Sequence, residues 1–429
     1  MQFPSLNDWL AWLEQSHPQE IDLGLDRIRQ VAGRLQLLNP SAKVVTVAGT
    51  NGKGSCVTAL AALLRSAGIK AGVFTSPHLL HYCERINVDG APVSEQDVCE
   101  AFEAISLACE GLSLTYFEYG TLAALKIFDK YQVDVMLLEV GLGGRLDAVN
   151  IIDADIAIIT SIELDHQDWL GNDRESIGYE KAGIIRLSKP MICADPNPPK
   201  SVQETAKKLA AESYFINEDF SFEAESETWS WKGKGHAQQP LILADLQLPA
   251  LPLPSLAAAL QAAGLLGIDI CTLDISGLLS NLRVPGRFQR LTYRDRQFIL
   301  DVAHNPAATE YLANRLTHTP YTGRTFGIVA MMADKDRSNS LGNLTHVINS
   351  WYLVDLSQQP RAATCEQLGQ DLAQLSLSVA GQGEMADCIN QAIEASQPED
   401  RIVIFGSFYT VAAALIVLDG ADQQPGREL

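Results

Sequence analysis

Gly49, Gly52 and Gly54 bracket Thr50, Asn51 and Lys53, and Ser55 closes the run. Glycines at such spacings let backbone N–H groups converge on one point, and with a cation and a hydroxyl beside them the chemistry suited is that of a polyphosphate with magnesium. Lys53 would neutralise phosphate oxygens and Ser55 would ligate the metal. The spacing departs from the common phosphate loop, which has four residues between its glycines and Ser or Thr directly after Lys. Here two residues separate Gly49 from Gly52, and Gly54 stands between Lys53 and Ser55. Alone, the run is also readable as a glycine-rich turn carrying a solvated lysine.

Other polar residues stand where apolar runs end. Gly72 to Phe74 leads into Thr75-Ser76-Pro77-His78, so Ser76 is either a metal ligand or an ordinary helix cap. The apolar run Val135 to Leu138 ends in Glu139, a position from which a carboxylate serves magnesium in phosphate-loop enzymes. Arg145 and Asp147 follow in a flexible glycine loop, and Ile156 to Ser161 leads to Asp165-His166, where the imidazole is a ligand or a local hydrogen-bond partner. Glu180-Lys181-Ala182 reads, from its residues alone, as a solvated helix face.

The elements that must position these groups alternate. The β-branched run Val44 to Val47, the glycine turn and the helix-forming stretch Cys56 to Ala67 predict strand, loop and helix. Residues 5–38 predict two amphipathic helices, with Asp22-Leu23-Gly24-Leu25 as a plain connection between them. Four apolar strands alternating with helices predict an α/β class with a mostly parallel sheet and helices on both faces. Residues 217–240, with Trp229 and Trp231, predict a hairpin insertion at the sheet edge. Val284-Pro285-Gly286-Arg287-Phe288 is the expected junction, which gives an ATP-binding P-loop domain over 1–284 and a smaller Rossmann-like α/β domain over 285–429. Strands are expected there at Phe298 to Val302, Thr325 to Met331, Ser350 to Leu356 and Arg401 to Phe405. Polar strand ends such as Asp301-Val302-Ala303-His304-Asn305 place the default active site where such domains face one another.

Composition narrows the partners. A formal charge of −20 argues against nucleic acid and anionic membranes, since binding there needs a basic surface. The eight cysteines include no C-x-x-C pair, so reduced, mostly buried thiols in a cytoplasm are expected rather than zinc. The start of the chain lacks a signal-peptide pattern, and the uncharged run Ile402 to Leu418 is broken by Gly406 and Ser407, so no membrane segment is expected.

Seven motifs in one order carry a resemblance: Thr46 to Ser55, Thr75 to Leu79, Leu138 to Asp147, Asp165-His166, Glu180 to Ile184, Pro285 to Phe288, and Asp301 to Asn305. Together they resemble the folylpolyglutamate synthase and dihydrofolate synthase family, within the ATP-dependent amide ligases that include the Mur enzymes. The family's phosphate loop has the short spacing found here. The resemblance implies that Thr50, Asn51, Gly52, Lys53, Gly54 and Ser55 hold the nucleotide's phosphates, with Arg287 and Asp301 as further nucleotide contacts. It implies two magnesium sites held by Ser76, Glu139, His166 and Lys181, the lysine being carbamylated by carbon dioxide into an oxygen ligand. Asp22, Leu23, Gly24 and Leu25, then Thr115, Tyr116, Phe117 and Glu118, then Leu146, Asp147 and Ala148, match the family's pterin-binding segments. From their residues alone, the first two of these read as connections. Relatives carry Asn where this chain has Ser255 after Pro254, so a hydroxyl replaces an amide at a nucleotide contact.

The implied reaction activates a carboxylate with ATP as an acyl phosphate and then forms an amide with the amine of L-glutamate. Lys53, Lys181, His166 and His304 are the expected catalytic residues, His304 by position alone. A bifunctional enzyme acting on dihydropteroate and on reduced folates leads, a monofunctional folylpolyglutamate synthase is the nearest alternative, and a non-catalytic nucleotide-binding protein is the rival of another class. Magnesium and potassium are the expected cations, small molecules the expected partners, and a monomer the expected state.

Overall fold

The computed structural model describes residues 3–19 and 21–420, and the chain divides between Leu282 and Arg283 into two units. The strands of the first unit are β1 (Lys43–Ala48), β2 (Ala71–Phe74), β3 (Ile86–Val88), β4 (Ala91–Pro92), β5 (Val135–Glu139), β6 (Ile156–Ile159), β7 (Pro190–Cys193) and β8 (Glu212–Phe215). They form one sheet in the order β4-β3-β2-β5-β1-β6-β7-β8. Six strands run parallel, and β3 and β4 are antiparallel at one edge.

Burial on both faces explains why these strands read as continuous apolar runs. The helices are α1 (Leu6–Ser16), α2 (Asp26–Arg34), α3 (Lys53–Ser66), α4 (Glu95–Cys109), α5 (Tyr116–Tyr131), α6 (Gln167–Leu170), α7 (Arg174–Ala182), α8 (Lys200–Lys208) and α9 (Leu253–Leu265). Val44, Ala48, Met136, Leu138, Ala157 and Ile159 share one core with residues of α1, α2, α4, α5, α7 and α8. The alternate residues Val45, Val47, Leu137 and Ile158 are equally buried, and α3 and α9 pack against their strands. The Leu114 to Gly120 stretch is no connection: Thr115 caps α5, and Tyr116 to Gly120 form its first turns.

The expected edge hairpin is instead a separate antiparallel sheet of β9 (Ser221–Ala224), β10 (Thr228–Lys234) and β11 (Pro240–Gln247). It is tied to α9 rather than to the main sheet. The Trp231 indole donates to the Ala257 carbonyl at 3.2 Å, and the Gln261 amide pairs with both backbone groups of Lys234 at 2.6 and 3.0 Å.

The second unit holds β12 (Gln289–Tyr293), β13 (Arg296–Asp301), β14 (Thr325–Val329), β15 (Ser350–Val354), β16 (Val379–Gly383) and β17 (Arg401–Phe405), ordered β12-β13-β17-β14-β15-β16. All but β12 are parallel. The two strands absent from the sequence expectation, β12 and β16, are the edges, where exposed residues dilute the apolar signal. The uncharged run near the C-terminus is β17 followed by helix Phe408–Gly420. No helix among the described residues is long and apolar enough to cross a membrane. All eight cysteines are free thiols, five of them buried.

Candidate active site

Parallel register brings the polar groups to one edge. Val47 pairs with Glu139 and Ala48 with Ile159, so the turn after β1 emerges between the ends of β5 and β6. Gly52 has φ 86° and serves as the N-cap of α3, whose first turn carries Lys53, Gly54 and the buried Ser55. Its left-handed backbone is one that glycine adopts without strain, and a Cβ there would stand 2.3 Å from Ser255 Oγ. A Cβ on Gly49 would stand 1.8 Å from Thr160 Oγ1. The loop is thus a cradle pressed between the end of β6 and the start of α9, with no room for side chains at either glycine.

Three hydroxyls hold that cradle. The Ser161 carbonyl accepts from Thr50 N–H at 2.7 Å, and Ser161 Oγ accepts from Asn51 N–H at 3.0 Å. Thr160 Oγ1 donates to the Asn51 carbonyl at 2.7 Å, and Thr50 Oγ1 accepts from Glu163 N–H at 3.0 Å. Lys53 Nζ donates to the carbonyls of Gly49 and Thr50 at 3.0 and 3.3 Å, so the cation folds over its own loop.

Glu139 is buried and its Oε2 accepts from Ser76 N–H at 3.2 Å. Both carboxylate oxygens lie within 3.9 Å of where a Cβ on Gly54 would stand, beside the N-terminus of α3. The Cys56 thiol is pushed up to about 12, first by burial and then by the Glu139 charge. His166 has left-handed backbone at φ 51° and caps α6, its N–H donating to Asp165 Oδ1 at 2.9 Å. Among the described residues no group of three His, Cys, Asp or Glu side chains is arranged to hold a metal. A carboxylate with hydroxyls beside a phosphate cradle nevertheless suits magnesium, which takes few protein ligands and completes its shell with phosphate oxygens and water.

Lys181 is not on a solvated face: it is 3% exposed in the last turn of α7. The reason lies outside its own helix. Arg145 N–H donates to the Glu180 carbonyl at 2.7 Å, its guanidinium bonds Glu180 Oε1 at 2.8 Å, and Asn150 links the Arg145 and Gly183 carbonyls. The loop after β5 therefore lies over the helix end. Burial lowers the Lys181 ammonium to about 7, Lys53 repulsion adds to this, and Asp165 and Asp147 oppose it. Asp147 is raised to about 6 by burial, against backbone donors that include Leu142 and Val149. Lys181 is thus a buried amine that loses its proton near neutrality, beside the lysine of the phosphate loop.

Phe117 Cζ would lie 2.8 Å from a Cβ on Gly141, and its ring centroid is 5.7 Å from that of Phe74. Glu118 is buried and completes the Thr115 capping box, accepting from Thr115 N–H at 2.7 Å. Leu146 and Ala148 flank Asp147, which caps the short 3-10 helix Ala148–Ile151. Leu23, Gly24 and Leu25 are half-buried in the segment between α1 and α2.

In the second unit Asp301 ends β13 and accepts from the N–H groups of Phe288 and Ala303 at 2.8 and 2.9 Å. Burial raises its carboxyl while the Arg287 guanidinium draws it down. His304 Nδ1 is 2.9 Å from the Val302 carbonyl, which can only accept. A proton on Nδ1 satisfies that contact.

Sequence reasoning missed the roles of Thr160 and Ser161, which position the loop, and marked Arg145 as a loop cation without seeing that it holds the end of α7. A hydroxyl pair closing a buried strand was the available signal for the first two; nothing local pointed Arg145 to α7.

A parallel sheet whose central strand opens into a phosphate cradle, with a carboxylate at the end of its neighbour, defines a nucleotide-binding α/β protein. Residues 47–239 match the Mur ligase middle domain, and residues 286–408 match the Mur ligase, glutamate ligase domain. The dihydrofolate synthase/folylpolyglutamate synthase of Escherichia coli (strain K12) is 43% identical over 418 residues, 96% of each chain. A solved structure of E. coli FolC in complex with DHPP and ADP superposes with a TM-score of 0.93 at 41% identity, covering 99% of this chain and 100% of that one. A bifunctional folylpolyglutamate synthase/dihydrofolate synthase with Mn, AMPPNP and L-glutamate bound gives a TM-score of 0.88 at 41% identity, covering 98% of this chain and 99% of that one. The chain belongs to the dihydrofolate synthase/folylpolyglutamate synthase family of Mur ligases.

Proposed function

We propose that the chain is an ATP-dependent ligase that joins L-glutamate to dihydropteroate, giving dihydrofolate, and to reduced folates, extending a polyglutamate chain. The observation that carries this reading is the buried amine of Lys181 beside Lys53 and the phosphate cradle, since only a neutral amine can take up carbon dioxide as a carbamate. The family membership and the ligands of the related structures support the same reading.

The cradle of Thr50 to Ser55, with Ser255, would bind the nucleotide's phosphates through backbone N–H groups and the N-terminus of α3. Arg287 and Asp301 are the proposed second-unit contacts to the nucleotide. Lys53 would leave its loop carbonyls for the γ-phosphate and spread the charge that builds as the substrate carboxylate attacks it. An acyl phosphate forms and ADP leaves. The glutamate amine then adds to the acyl carbon, Nε2 of His304 accepts the proton it sheds, and phosphate departs as the amide forms. Ser76, Glu139, His166 and carbamylated Lys181 would hold two magnesium ions, which when bound supply Lewis-acid stabilisation of phosphate and acyl oxygens. Asp22 to Leu25, Thr115 to Glu118 and Leu146 to Ala148 are the proposed pterin contacts. Potassium is carried as a further cation, and the proposed setting is a cytoplasmic monomer.

The test is glutamate-dependent phosphate release from ATP, with dihydropteroate and a reduced folate as parallel acceptors. Turnover with both is expected. Turnover with the folate alone would remove dihydropteroate from the reading, and silence with both would overturn it.

A further inference from the structure

The connection between α1 and α2 carries Asp22 to Leu25 and forms no regular hydrogen-bonded element of its own. Side chains help to hold it, and among the described residues Arg27 supplies several of the bonds. Arg27, in the first turn of α2, bonds the Asp22 carboxylate through Nη1 at 2.6 Å and the Asp22 carbonyl through Nη2 at 2.8 Å. The same Nη2 reaches Oε1 of Glu118 on α5 at 3.3 Å. His17, just beyond the end of α1, has Nε2 3.6 Å from the same Asp22 Oδ2. One guanidinium therefore ties the connection to a buried residue 91 positions away in sequence.

Stability alone does not account for this arrangement. Arg27 Nε is buried and, among the described residues, has no hydrogen-bond partner. An unpaired buried donor costs about 1–3 kcal/mol, so the guanidinium is held where it bridges two carboxylates rather than where all its donors are met. Both residues it bridges lie in segments proposed to contact the pterin.

We propose that Arg27 is a positioning residue for the acceptor substrate: it locks the Asp22–Leu25 connection onto the start of α5 and so fixes the dihydropteroate subsite. The inference rests on the ligase reading above. A planar fork is required, because a lysine can supply the charge but cannot present two parallel donors to Asp22 while reaching Glu118.

Steady-state kinetics of Arg27→Met and Arg27→Lys, with each of the three substrates varied in turn, test it. The wild-type chain is measured first, and its failure to turn over dihydropteroate would overturn the ligase reading and this inference with it. With an active wild type, Arg27→Met should raise KM for dihydropteroate at least tenfold while KM for ATP and for glutamate stay within twofold. Arg27→Lys should give a smaller rise with the same selectivity, and it carries the test if the methionine variant does not fold. An unchanged dihydropteroate KM, or a rise in all three KM values together, would overturn the positioning role.

Discussion

Lys181, proposed to take part in the chemistry, also bears on stability. Its folded value near 7 lies below the ordinary lysine value of 10.5. The native chain therefore binds fewer protons than the unfolded chain between those limits, and stability rises with pH across that window. Below pH 7 the full cost of a buried ammonium applies, on the order of 5 kcal/mol for a shift of this size. Replacing Lys181 with Met should abolish ligation by at least a thousandfold and yet leave Tm at pH 6.5, in buffer free of carbon dioxide, equal to or above that of the wild type. The Tm advantage should shrink as pH is raised toward 10. A variant that unfolds readily at pH 6.5, or that keeps its activity, would show that the lysine serves packing rather than carbamate formation.

At the scale of elements, the cradle depends on the end of β6 as much as on its own glycines. A single side chain, Ser161, both accepts from and donates to the backbone of Asn51. Removing that hydroxyl in Ser161→Ala forfeits about 1–2 kcal/mol of hydrogen bonding, which should weaken nucleotide affinity roughly tenfold. Calorimetric titration with ADP and magnesium reads this directly, and unaltered affinity would assign the cradle's shape to its glycines alone. The strand, turn and helix around Gly49 to Ser55 were legible because β-branched residues, glycines and an apolar helix follow one another without interruption. Lys181 was not legible in composition: what buries it is the Gly144-Arg145 loop, brought over α7 by contacts distant in sequence. The resemblance supplied its proposed role, and the packing shows that the amine is buried. Trp229 and Trp231 looked like an edge hairpin because their strands alternate, but Ala257 and Gln261 on α9 draw them into a separate sheet. Pairing partners of that kind leave no local mark.

For the molecule as a whole, the net charge of −20 must be reconciled with reactants that are all anionic. Two length scales separate the opposing effects. The cations of the site act over a few ångströms, well inside the Debye length of about 10 Å at 0.1 M salt, so salt weakens them little. The repulsion from 52 acidic side chains against 32 basic ones acts over longer distances and is screened strongly. Raising potassium chloride from low to moderate concentration, at fixed free magnesium, should therefore increase kcat/KM for a reduced folate about two- to threefold. The increase should grow with the number of glutamates already on the acceptor, because each adds a charge that the molecule repels at long range. A fall in kcat/KM with salt would mean that the local cations steer the substrate from beyond the Debye length, and that the distant acidic surface has no part in its approach.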